Sequence, residues 1–535
     1  PGPSVNSIGR RWPPMRDEIS PSVHGTSFLT MPTNTRIFKN IGMEIQPAQA
    51  AMFASLARLL KERHGSRIHL YVRGRVEEGT YRKNNTDGLW ESVTNDSVHI
   101  PAIQEEGLDE EEVITRARRM EEFAGEPINR LALPNRQMGH AFAAGAWRHP
   151  VAPYVARASN TQLLHAMAES TAFWEREIRE KKLGLVMDGN KFMAATARAL
   201  GVPYRRLTLA RLETYCYWAV NEYFDHPGLE KTYDALKDWP DAEIGGSYVL
   251  AAQKYDIERH ARSWWQIARA LPESILRHFY YKARGMEKGD SVFLSDIVTS
   301  PFRIRNAQTH LARFATTDLD DLAGKTFVYY PLQKEPEATI MQAASECLSQ
   351  HATILSLARD LPAGVLLAIK ENSSAIGRRP ASFYDQIAAL KNAVLLRLDT
   401  SSIEALKLAA ATVTIAGTAS MEAAILGKPA LTFSDHIKWG FLPHARVVTC
   451  ESELPSLLRW AVFGPFDAEQ AREDGARFLA ALKKSSMQLE GFGRDKKGGY
   501  VSDENETDIL YSALCRSLGV TPLEASQAKA TAKVA

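Results

Sequence analysis

Cysteine is scarce in this chain: four in 535 residues, at Cys216, Cys347, Cys450 and Cys515. Their wide spacing makes no metal-like pair, and a reducing cytosol fits best. Strong charge of either sign is also missing. A net charge of +2 argues against a dedicated nucleic-acid binder. The one dense basic cluster, "GRDKKGG" at 493–499, reads as a solvated loop. No apolar run is long and pure enough to span a bilayer; the nearest, 408–426, carries Glu422 and reads as core. The first twenty residues are proline-rich and polar, without a secretory pattern, and are expected to be disordered.

What is present is an ordinary globular composition, 45% hydrophobic and 24% charged. The length predicts two large domains or three smaller ones. The expected product is a soluble protein able to sit on a membrane surface.

Helix and strand periods alternate through much of the chain. Residues 47–63 place Met52, Phe53, Leu56, Leu59 and Leu60 on one helical face, closed by Gly65, with strand "RIHLYVRG" following. The stretch 84–108 reads as loop and 109–124 as a charged helix. Ser159 is placed to cap a long helix to about Lys182. Strand "LGLVMDG", a helix and strand "VPYRRLTL" come next. Residues 228–320 are helical and aromatic-rich; Trp264 and Trp265 read as core or interface packing, with a sugar-stacking platform as the alternative.

From 325 the alternation becomes regular: "KTFVYYPL", a helix over 339–359, "GVLLAIKE", a helix near 381–391, "AVLLRLD", "SSIEALKLA", "TVTIAG", "SMEAAILG" and "PALTF". Helices cover most of 451–487, and a last one spans about 504–518. Such alternation predicts a doubly wound parallel sheet covered by helices. The expected class is therefore α/β, with two Rossmann-like domains facing a cleft (GT-B type) and a helical insertion or connector. The expected division is a disordered or extended leader (1–45), an N-terminal Rossmann-like domain (46–227), a helical connector (228–320), a C-terminal Rossmann-like domain (321–465) and C-terminal helices and tail (466–535).

Ligands of such sheets bind outside the carboxyl ends of the strands, which singles out three loops. In "TVTIAGTASMEAAILGKPALTF", Gly417 permits a sharp turn and close backbone approach. Thr418 and Ser420 lie in the first turn of the next helix, where free N–H groups and the dipole favour an anion. Glu422 is placed to bond ribose or sugar hydroxyls. Equally, Ser420 is a simple N-cap and Glu422 a favourable first-turn acid. In "YYPLQKEPEATI", Gln333, Glu335 and Glu337 project from the sheet edge, as sugar-binding or acid–base groups or as solvated residues. In "IKENSSAIGRR", Lys370 needs a partner such as Glu371 or a phosphate, and Arg378 and Arg379 suit a phosphate clamp.

Together "FVYYPLQKEPEAT", "AIKENSSAIGRRPASFY" and "VTIAGTASMEAAILGKPALTF" resemble the capsule polysaccharide biosynthesis family, which includes Kdo-transferring proteins of bacterial capsule export systems. The likeness covers about residues 325–460. It implies a GT-B glycosyltransferase that moves a sugar from a nucleotide-activated donor, CMP-linked acidic sugar or UDP-sugar, to a surface or capsular polysaccharide or glycolipid. The donor is substrate, so no cofactor is implied. No divalent metal is required, because backbone amides and cations stabilise a departing phosphate. The implied location is cytoplasmic, peripheral at the inner membrane, in contact with capsule-assembly proteins. One departure stands out: the family reads Lys-Glu-His-Pro where this chain has Lys370-Glu371-Asn372-Ser373. Asn372 still donates a hydrogen bond but neither titrates nor carries charge. In the first domain, Asp188 at a strand's end and Glu213 after another strand are the candidate catalytic carboxylates; a turn acid and a helix acid are the plainer readings. A nucleotide-sugar epimerase on the same fold and a non-catalytic glycan-assembly component are the rivals.

Overall fold

The computed structural model describes residues 36–45, 49–135, 138, 152–237, 263–286, 292–335, 337–372, 375–489 and 504–523. The basic cluster at 493–499 and most of the leader lie outside these residues.

Thirteen strands are present among the described residues: β1 Asn40–Glu44, β2 Arg67–Val72, β3 Ser92–Asn95, β4 Leu185–Met187, β5 Tyr204–Leu209, β6 Tyr215–Ala219, β7 Phe327–Pro331, β8 Leu366–Lys370, β9 Ala393–Leu395, β10 Ala411–Thr414, β11 Ala430–Thr432, β12 Ala445–Val447 and β13 Met487–Gln488. They form two sheets, ordered β13-β6-β5-β4-β1-β2-β3 and β12-β11-β10-β7-β8-β9. Strands β1 to β5 are parallel to one another, β6 runs antiparallel to β5, and β13, antiparallel to β6, returns to the common direction; the second sheet is wholly parallel. This is the GT-B plan of two Rossmann-like units. In the second sheet the order reverses between β7 and β10, and in the first between β1 and β4. These switch points are where doubly wound sheets open a crevice.

Three expectations about secondary structure need correction. Residues 40–44 were expected in a leader, yet β1 is a central strand and fully buried. Its five residues carry no alternation because both faces are covered, and a Cβ at Gly42 would lie 2.8 Å from the Leu183 side chain. The loop expected over 84–108 contains β3 and a short helix, His99–Ile103. The single helix expected over 339–359 is broken into Ala338–Ala343, a 3-10 turn at Ser345–Cys347 and Gln350–Asp360. The break delivers Gln350, which is buried, to hydrogen bonds with both backbone groups of Gln333.

Helix α1 (Ala50–His64) buries Met52, Phe53, Leu56 and Leu60 as its period requires. Gly65 ends it in the left-handed conformation, φ 61°, its N–H donating to Lys61 O. Helix α2 (Asn160–Glu180) starts with a reciprocal capping box between Ser159 and Gln162. In the connector, α3 (Trp264–Ala283) packs along α4 (Leu294–Leu311). Trp264 and Trp265 are not core: they are 52% and 75% exposed, and Trp264 lies under the Arg305 guanidinium at 4.7 Å. Helix α4 is held to the second domain. Arg303 Nε donates to Gly377 O (3.2 Å), and His310 pairs with Asp385 (2.9 Å).

Helix α5 (Thr418–Ile425) follows β10, and α6 (Ala468–Ser485) packs behind it. The chain then returns to the first domain. β13 pairs with β6, and α7 (Glu504–Ser517) packs on α1 and β6, with Trp218 Nε1 donating to Leu510 O at 3.0 Å. No helix among the described residues is long and apolar enough to cross a membrane.

Candidate functional site

A cleft of about 800 Å³ lies between the sheets and is lined from both switch points. Gln49, after β1, and Asp188, after β4, face it from the first domain; Pro331 to Gln333 and Ala416 to Thr418 face it from the second.

The second-domain side is braced from below. Gln333 Oε1 accepts the Ala416 N–H (3.0 Å), tying the loops after β7 and β10 together. Arg379, fully buried, donates to Gln333 O (2.6 Å), to Glu371 (2.9 Å) and to Glu335 (3.3 Å). Tyr384 O–H also donates to Glu371, at 2.6 Å, and Gln350 N–H donates to Glu335, at 3.1 Å. Glu335 is therefore not the solvated or sugar-facing acid expected, and Glu371, expected beside Lys370 in the phosphate loop, is held by Arg379 and Tyr384. They are buried counter-charges whose hydrogen bonds fix the loops. Arg378, expected as the phosphate clamp, does not line the cleft, and its neighbour Arg379 is the structural cation. Lys370, the last residue of β8, is buried away from the lining, and burial lowers its amine to about 8.

Ser420 is also redirected. Gly417, not Ser420, occupies the N-cap of α5. The Ser420 hydroxyl is buried and bonds Thr414 Oγ1 (2.8 Å) and Gly417 O (2.9 Å). Gly417 has φ −85°, a conformation open to any residue, so the turn itself does not demand glycine. What restricts the position is space: a Cβ would lie 3.3 Å from Thr414 and 3.4 Å from the Gln333 amide. Thr418, Glu337, Asn372 and Glu422 do reach the cleft. Burial raises the Glu422 carboxyl to about 7.

On the facing side Asp188 has φ 57°, a left-handed conformation that aspartate tolerates better than most residues. The turn puts its carboxylate into the cleft, where it accepts the Leu207 N–H (3.1 Å) with Arg206 Nε 4.0 Å away. Burial pushes its carboxyl up to about 7, with the nearby Glu44 charge adding to the rise and Arg206 and the Leu207 N–H opposing it. Glu213 is excluded: it is exposed in the β5–β6 turn, not on a helix, and does not line the cleft.

The sequence reading missed the cleft's cations. Arg206 and Arg211 come from β5 and the turn after it; His436 and Lys438 come from the loop after β11. Lys438 Nζ lies 4.8 Å from the Tyr217 ring centroid, and burial lowers its amine to about 7. Burial disfavours charge on His436 too, but the Asp225 carboxylate, 3.5 Å from Nδ1, outweighs it and raises the imidazole above its usual value. Basic residues in two separate β-to-loop transitions give no local signal; only their convergence identifies them. An arginine pair flanking "RRLTLAR" is the single trace in the sequence.

No family model matches the chain, and no curated protein matches it. Among solved structures it is similar to the KpsC β-Kdo 2,7-transferase of Thermosulfurimonas dismutans, at 12% identity over 63% of this chain and 87% of that one, TM-score 0.31. It is also similar to the UDP-GlcNAc 2-epimerase of Methanocaldococcus jannaschii (10%; 82% and 98%; TM-score 0.23). A third is Anabaena Alr3699/HepE in complex with UDP and glucose (10%; 84% and 94%; TM-score 0.24).

Proposed function

We propose that the chain is a glycosyltransferase of the capsule-synthesis type, moving a sugar from a nucleotide-activated donor to a glycan or glycolipid acceptor. The observation that carries this reading is the meeting of both switch points in one cleft, with a carboxylate tuned by burial on one wall and anion-compatible groups on the other.

In this reading the donor phosphate lies at the start of α5, where first-turn N–H groups and the helix dipole favour negative charge. Asn372 donates a neutral hydrogen bond to the donor, and Glu422 takes ribose or sugar hydroxyls. The cations Arg206, Arg211, His436 and Lys438 offset charge on the leaving nucleotide. Asp188, near the protonation midpoint at neutral pH, removes the proton of the acceptor hydroxyl. The donor is a CMP-linked acidic sugar or a UDP-sugar, and the protein works at the cytoplasmic face of the membrane.

A panel of nucleotide sugars incubated with and without acceptor tests the reading. Acceptor-dependent release of nucleotide supports it. Conversion of a sugar nucleotide to its isomer without acceptor replaces it by an epimerase, and absence of nucleotide binding replaces it by a non-catalytic role.

A further inference from the structure

A second cavity, about 1210 Å³, lies on the same carboxyl edge of the first sheet as the cleft. The cleft covers the ends of β5, β4 and β1; the second cavity covers those of β2 and β3, the next strands in the sheet. Its floor is Arg75, Asn95 and Ser97, and its roof is the α3–α4 connector, which contributes His278, Phe279 and Lys282. Asn95 Oδ1 accepts the N–H groups of Gly74 (2.9 Å) and Ser97 (3.0 Å), fixing the floor loops to each other. Gly74 needs its glycine, with φ 98°.

Three properties identify the chemistry of a ligand. Arg75, Arg157 and Lys282 line the cavity without an acidic partner among the described residues, against one lining acid, Glu106. Phe279, 52% exposed, offers an aromatic face against which the C–H face of a sugar ring packs. The volume, about 1210 Å³, leaves room for more than one sugar ring.

We infer that this cavity binds an acidic oligosaccharide segment, whose carboxylates or phosphates meet Arg75, Arg157 and Lys282 and one of whose rings packs on Phe279. That this segment is the acceptor, extending from the catalytic cleft along the sheet edge under the connector, rests on the glycosyltransferase reading; the acidic-glycan site itself does not.

The test uses the full chain, with tetragalacturonate as the acidic probe and maltotetraose as its neutral counterpart, titrated by calorimetry at low and moderate salt. Wild-type protein is expected to bind tetragalacturonate saturably, more weakly as salt rises, and to prefer it to maltotetraose. The double variant Arg157→Gln/Lys282→Gln changes two exposed side chains and is expected to weaken that binding at least tenfold while CMP and UDP affinities stay within twofold. Equal binding of both sugars, or an unchanged double variant, overturns the inference. So does charge-dependent binding to phosphatidylglycerol vesicles with none to tetragalacturonate, which makes the surface a membrane contact. Nucleotide binding without tetragalacturonate binding defeats the cavity alone; the reverse pattern defeats the glycosyltransferase reading and leaves the acidic-glycan site standing.

Discussion

His436 stacks on Tyr223 with ring centroids 4.0 Å apart and planes 7° from parallel, although the two residues belong to opposite domains. Asp225, two residues beyond Tyr223, pairs with the same imidazole. A second link, the ion pair between Arg130 and Glu346, also crosses the boundary. The width of the cleft is therefore set in part by a titratable group at its own rim.

That arrangement gives a pH dependence with a definite sign. Because the folded His436 titrates above its ordinary 6.5, the Asp225 pair contributes fully below that value and is lost as pH rises through the raised one. Both partners are near or above one-third exposed, so screening limits the effect to about 0.5–1 kcal/mol. Melting temperature followed from pH 5.5 to 8.5 should fall more in wild type than in Asp225→Asn, and identical slopes would remove the pair from the account.

Asp188→Asn should lower turnover by a factor of roughly a hundred to ten thousand, with nucleotide affinity unchanged. Wild-type activity should rise with pH through about 7 as the carboxylate forms. The stability effect runs the other way. A carboxyl raised on folding favours the native state below its unfolded value and loses that contribution as pH rises to about 7. The variant should thus melt higher than wild type at pH 8 and not at pH 4. An active Asp188→Asn would pass the base role elsewhere.

Arg379 and Arg378, adjacent in sequence, should behave differently. Arg379→Met leaves Glu335 and Glu371 buried without their cation, a loss of about 3–5 kcal/mol. Arg378→Gln should leave nucleotide affinity within twofold, since Arg378 does not line the cleft. Denaturant unfolding and calorimetry separate the two outcomes; a tenfold affinity loss in Arg378→Gln would restore it as a clamp.

Asn372 lines the cleft as one neutral hydrogen-bonding group, contributing about 0.5–1.5 kcal/mol and more against a charged oxygen. Asn372→Ala should weaken donor binding about three- to thirtyfold. Asn372→His introduces a group that titrates near 6.5, so its donor affinity should rise as pH falls from 7.5 to 5.5. Equal affinities for all three proteins at both pH values would place the loop outside the donor site.

Sequence by itself determined the elements whose instructions are local. The period of α1, the Ser159 cap and the strand–helix alternation after 325 need only near neighbours, and they sufficed for the α/β plan and for placing Asp188 at a strand's end. The same alternation brought Thr418, Glu422, Glu337 and Asn372 to the right edge of the sheet. Which way a side chain turns at that edge was not local. Glu335, Glu371 and Ser420 look like Glu337 and Thr418 in sequence, but Arg379 and Thr414 draw them inward, because a buried charge or hydroxyl is stable only where a partner meets it. Tertiary structure alone decided that β1 is central, that Arg206, Arg211, His436 and Lys438 converge, and that Asp188 titrates near neutrality. Each depends on desolvation or charge supplied by segments far apart in the chain, and that juxtaposition exists only once the two sheets have closed on each other.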